Sequence, residues 1–186
     1  MATTITGTTI DVGPNKLVAN SAGNVGIGTA SPAKPLDVTG DIRTSTGILF
    51  GTDTAAANTL DDYEEGTFTA TLTGSTSAPN TAVTATFAYV KIGRQVTING
   101  YIAGNTTGGA GTMWLTGLPF TSNSYQSMGS YMSENLEAGG GWNTGYLAGG
   151  STTVRFYETN NAGAWAGVNL LAGASKALMM SQTYQV

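Results

Sequence analysis

Apolar and polar residues alternate along much of this chain, and the grain of the alternation changes near residue 60. From Thr67 onward, Phe68, Ala70 and Leu72 share one face while Thr67, Thr69, Thr71 and Thr73 share the other, the period-two signature of a half-buried strand. Val83, Ala85, Phe87 and Tyr89 repeat it. Lys91-Ile92 then leads through Gly93-Arg94 into Gln95-Val96-Thr97-Ile98-Asn99-Gly100-Tyr101-Ile102, which predicts a tight β-hairpin. Further strands are predicted at Thr112–Leu115, Ser127–Ser133, Thr144–Leu147, Thr153–Tyr157 and Ala177–Tyr184, separated by Gly-rich and Asn-rich connections. Short strands at regular spacing describe an antiparallel β-sandwich of jelly-roll type over residues 67–186. Between Ala162 and Ala177, Trp165, Val168, Leu170, Leu171 and Ala174 could be set on one helix. Three glycines and an Asn-rich lead-in favour an irregular connection instead.

Before residue 60 the units are shorter. Met1 to about Leu17 alternates Thr with small apolar residues and turns at Gly13-Pro14-Asn15, as an extended arm would. Asn24-Val25-Gly26-Ile27-Gly28-Thr29-Ala30-Ser31-Pro32 and Leu36-Asp37-Val38-Thr39-Gly40-Asp41-Ile42 come next, with apolar residues in alternate places and glycine at the bends. Two or three apolar residues per strand cannot offset the roughly 1–2 kcal/mol of backbone entropy lost per ordered residue. These segments therefore need neighbours, and threefold symmetry supplies them: Ile5, Ile10, Val25, Ile27, Leu36, Val38 and Ile42 are the side chains expected to pack in a trimeric stalk. The organisation expected is an arm and stalk over residues 1–60, an acidic joint over 61–66 and the sandwich over 67–186.

Composition sharpens this all-β picture. Charged residues are 10% of the chain against about 25% in an average domain, and the helix formers Glu, Lys, Arg and Gln are scarce beside Thr, Ser, Asn and Gly. Most acids lie before Gly66, and no Lys or Arg cluster exists to neutralise phosphates, so neither nucleic acid nor an anionic membrane surface is an expected partner. No secretory leader and no run of about 18 apolar residues is present, which points to synthesis in a cytoplasm.

With no Cys and no His, the commonest nucleophile–base pairs and soft-metal sites have no members, and no catalytic residue, metal or cofactor is assigned. Gly26-Ile27-Gly28 is better read as a turn between strands than as a dinucleotide loop, because extended chain and not a helix comes after it. Asp61, Asp62, Glu64 and Glu65 form the one dense carboxylate cluster. A solvated joint is favoured over a cation site, since four acids on extended chain cannot all face one point. Tyr125, Tyr131, Trp142 and Tyr146, with Tyr157 and Trp165, lie near Gly-, Ser- and Asn-rich loops, a mixture suited both to surface recognition of sugars and to core packing.

Three pieces in order, the Asn24–Gly40 region, Leu60-Asp61-Asp62-Tyr63-Glu64-Glu65-Gly66-Thr67-Phe68-Thr69 and Tyr89-Val90-Lys91-Ile92-Gly93-Arg94-Gln95-Val96, resemble tail-fibre-type virion proteins of tailed bacteriophages. Leu115-Thr116-Gly117-Leu118-Pro119-Phe120 is similar to the segment that comes next in the same proteins, so the likeness spans about residues 24–120. It implies a non-enzymatic homotrimer on the virion surface, made in the host bacterial cytoplasm, with a β-rich stalk and a β-sandwich tip. Long fibres carry an attachment domain and shaft for which this sequence leaves no room, so a short projection is expected. Two roles then compete: a short tail fibre that binds host surface glycan, or a capsid decoration (cement) trimer whose arms staple neighbouring subunits. A polysaccharide depolymerase is a more distant third, because residues 67–186 offer only Glu134, Glu137 and Glu158 as acids.

Overall fold

The structure of the protein is a computed structural model, which describes residues 17–52, 54–136, 142–159 and 163–186; the side chains of Ala57, Trp142, Asn143 and Thr159 fall outside the described set. The chain divides into two compact units, Met1–Ile48 and Leu49–Val186.

In the first unit, β1 (Leu17–Ala19), β2 (Val25–Ile27) and β3 (Leu36–Val38) form one sheet in that order. β1 and β2 are antiparallel, joined by a turn in which Asn20 Oδ1 accepts hydrogen bonds from the N–H groups of Ala22 and Asn24, both 3.0 Å. β2 and β3 run parallel, pairing Val25 with Leu36 and Ile27 with Val38. A parallel pair normally needs a long crossover, and this short link depends on its glycines. Gly28 has φ +76°, and a Cβ there would meet the Thr39 carbonyl oxygen at 2.7 Å. Gly26 and Ile27 thus belong to β2, Gly28 alone of the three begins the turn, and the chain bends repeatedly before β3. Among the described residues of this unit, the buried positions are Val18, Gly26 and Pro32. Leu36 is 59% and Ile42 62% exposed, and Leu17, Ile27 and Ile48 also face outward. Val25 and Val38 are half-buried, while Ile5 and Ile10 lie outside the described residues.

The second unit opens with a single 3₁₀ turn, Ala56–Asn58, and continues in strands only: β4 (Tyr63–Gly74), β5 (Val83–Ile92), β6 (Gln95–Gly104), β7 (Met113–Thr116), β8 (Ser127–Glu134), β9 (Trp142–Leu147), β10 (Thr153–Thr159), β11 (Ala166–Gly167) and β12 (Lys176–Gln185). The hydrogen-bonded order is β10-β7-β4-β5-β6-β12-β8-β9, and β9 pairs again with β10, so eight antiparallel strands close into a barrel. The expected sandwich or jelly roll is therefore corrected to a closed barrel. Its physical reason is visible in β9, which bonds β8 through Ser127–Leu147 and β10 through Val154–Leu147, leaving neither partner an open edge. β11 continues the position of β7 along β10, pairing Tyr157 with Gly167. No helix forms across the stretch from Trp165 to Ala174; Val168 and Leu170 instead bury their side chains, and the Met113 N–H donates to the Val168 carbonyl.

Eight strands leave an interior just wide enough for side chains to fill. Leu72, Phe87, Ile98, Ile102, Met113, Leu115, Leu147, Phe156, Leu178 and Tyr184 fill it. The hairpin predicted at Gly93-Arg94 joins β5 to β6, with Gly93 at φ +55° and Arg94 outside the left-handed region, the pattern of a type II′ turn. β4 begins at Tyr63, so Glu64 and Glu65 belong to a barrel strand and not to a free joint.

Candidate recognition site

The acidic segment separates on folding. Asp62 pairs with the buried Lys91 ammonium, which also lies 5.6 Å from the centre of the Phe120 ring. Glu64 accepts a hydrogen bond from the Tyr89 hydroxyl, and Glu65 accepts one from the Tyr63 hydroxyl at 3.0 Å, each carboxylate holding its phenol above the ordinary value. Neighbouring strand residues point to opposite faces, which is why Glu64 and Glu65 find different partners. Among the described residues, no group of three or more acids is placed to hold a metal ion.

The aromatic residues separate as well. Tyr131 joins the barrel core, its ring 4.7 Å from that of Phe156 in an edge-to-face pair. Tyr125 is 71% exposed, beside a cleft lined by Gln95, Gln126, Thr183 and Gln185. Trp142 opens β9, with its side chain outside the described set. Tyr146 lies on the outward face of β9 and is the centre of a cluster. Its ring stands edge-to-face on Tyr157 at 5.6 Å and 89°, and Trp165 leans over it at 6.1 Å and 58°.

Strand register builds this cluster. Across β8, β9, β10 and β7, the paired residues Met128, Tyr146, Arg155 and Trp114 make one outward row, while Thr144 and Tyr157 pair in the next. Together Met128, Thr144, Tyr146, Tyr157 and Trp165 wall a small pocket of about 80 Å³. The Thr144 hydroxyl donates to the Gly129 carbonyl at 3.0 Å, so it turns its proton to the backbone. Trp165 and Met128 remain 60% and 69% exposed. Arg155 lies 5.6 Å over the Trp114 ring, and its Nε has no hydrogen-bond partner among the described residues.

Sequence reasoning singled out Tyr146, Tyr157 and Trp165 but missed Met128, Trp114 and Arg155. Met128 carried a signal: it occupies the outward parity of a strand whose inward positions are Ser127, Gly129 and Tyr131. A second patch lies on β6, β12 and β8, where Tyr101, Met179 and Met132 pair in a row and stay exposed over an open groove of about 620 Å³. A comparison with protein-family models, with curated proteins and with solved structures found no match to this chain.

Proposed function

We propose that this chain is a non-enzymatic structural protein of a tailed-phage virion, a surface-exposed homotrimer that serves as a short tail fibre or receptor-binding protein. The observation that carries the assembly is the first unit: its three-stranded sheet leaves Ile27 and Leu36 exposed, Ile42 and Ile48 after it are exposed too, and among its described strand residues Val18 is the one buried apolar side chain. A sheet this small is not stable in water alone, and apolar rows of this kind are what symmetry mates cover. The exposed Tyr101, Met132 and Met179 row offers the barrel a comparable contact, as clustered apolar surface commonly marks an interface. The virion assignment rests on the resemblance of the ordered pieces between Asn24 and Phe120. The role in recognition is supported by the outward Tyr146, Tyr157 and Trp165, which present rings of the type that stack on sugars.

Light scattering of the purified chain should give three times the mass of the 18.9 kDa monomer. Gel densitometry of purified virions should give tens of copies per particle; hundreds of copies would move the protein to the capsid surface as a decoration trimer. Isolated trimers should compete with phage for adsorption to host cells, and failure to compete would sink the receptor-binding role.

A further inference from the structure

The pocket beside Tyr146 has a chemistry of its own. Its walls are a thioether, two phenol rings, an indole and the methyl side of a threonine whose hydroxyl proton is already used. Such a lining offers water few hydrogen-bond partners, so an apolar group that enters displaces poorly held water. At about 80 Å³ the space is roughly half the ~150 Å³ of an apolar cavity that admits benzene. It suits a methyl or acetyl group and is too small for a pyranose ring with its hydroxyls.

Trp165 and Met128, which both line the pocket, leave much of their side chains open to solvent. An exposed aromatic face beside a methyl-sized apolar hole is complementary to a sugar carrying a methyl-terminated substituent. An ordinary hexose would leave the hole empty.

We propose that the Met128, Thr144, Tyr146, Tyr157 and Trp165 pocket binds a saccharide by its methyl-bearing substituent, an N-acetyl or 6-deoxy group, with the sugar ring against Trp165. This rests on the host-recognition role proposed for the trimer and names its ligand class. Burying one methyl group is worth about 0.8 kcal/mol, which is roughly fourfold in affinity.

The experiment is saturation-transfer NMR on the full chain with two matched pairs of sugars, N-acetylglucosamine against glucose and L-fucose against L-galactose. The methyl-bearing member of each pair should bind at least fourfold more tightly, with its methyl protons the most strongly saturated. Trp165→Ala, an exposed change, should abolish the signal at unchanged far-ultraviolet circular dichroism, and Tyr125→Ala should leave it intact. Equal binding within both pairs, binding that survives Trp165→Ala, or no binding of any of the four sugars would each overturn the proposal. Trimers that compete with phage while ignoring all four sugars would defeat this pocket alone. Trimers that bind the methyl-bearing sugars yet never compete with phage would instead defeat the receptor-binding role.

Discussion

Replacing Gly100 with alanine tests the packing logic of the barrel most directly. Gly100 lies on β6 beside the buried Phe87 of β5, whose ring covers it. A Cβ built on Gly100 would stand 2.2 Å from Phe87 Cγ and 2.4 and 2.5 Å from its two Cδ carbons, far inside van der Waals contact. The ring has no free space to enter, since it is fully buried and packs against Phe68 at 5.8 Å. Overpacking of a filled core costs about 1–3 kcal/mol, and a contact this short belongs at the upper end. Alanine recovers about 0.5–1 kcal/mol through the smaller freedom of its unfolded chain. The net loss expected for Gly100→Ala is therefore about 2 kcal/mol. Urea unfolding followed by tryptophan fluorescence measures it, at one fixed protein concentration because assembly would link stability to concentration. Phe87→Leu should lose much of its own cost when combined with Gly100→Ala, giving a coupling energy of about 1 kcal/mol or more in the double-mutant cycle. A Gly100→Ala variant within about 0.5 kcal/mol of the parent, or strictly additive costs, would refute the reasoning.

Three further outcomes arise from buried polar groups. Asp62→Asn leaves the Lys91 ammonium buried beside Phe120 without its counter-charge, and should cost about 1–2 kcal/mol in thermal or urea unfolding; Lys91→Met, which removes the charge itself, should cost less. Gln182 donates from Nε2 to Ser127 Oγ at 2.9 Å, but its buried Oε1 has no hydrogen-bond partner among the described residues, so Gln182→Met should be neutral or stabilising by up to about 1 kcal/mol in the same assay. Burial pushes the Tyr184 phenol up to about 12, while its hydroxyl donates to the Phe120 carbonyl at 3.2 Å. The unfolded phenol ionises near 10, so this contribution is complete below about pH 10 and is lost as pH rises toward 12. Stability should fall by roughly 1–2 kcal/mol more across that window in the parent than in Tyr184→Phe, and parallel curves would rule the linkage out.

The strands were readable because their signal is local. Phe68, Ala70 and Leu72, or Val83, Ala85 and Phe87, declare an inward face whatever lies beside them, and Gly93 announces its turn in two residues. The aromatic site was readable only in part. Tyr131 and Met132 are neighbours in one strand, yet the tyrosine packs into the core and the methionine faces solvent, a difference of parity that composition does not carry. Tyr146, Tyr157 and Trp165 form a pocket because β9 and β10 pair Tyr157 with Thr144 and the chain after β10 returns over them.

Closure of the barrel is of the same long-range kind. Ser181 pairs with Asn99 on one side and Ser130 on the other, and Val154 pairs with both Leu115 and Leu147, contacts between segments far apart in the chain. Alternation along one strand cannot say which strand will be its neighbour, so a two-sheet sandwich and a closed barrel share one pattern. The β class, the turn glycines and the absence of His and Cys therefore belong to the sequence. The ring of eight strands, the dispersal of Asp62, Glu64 and Glu65 among separate partners and the convergence of three rings on one small pocket belong to the folded molecule, because each depends on register between strands that only tertiary packing brings together.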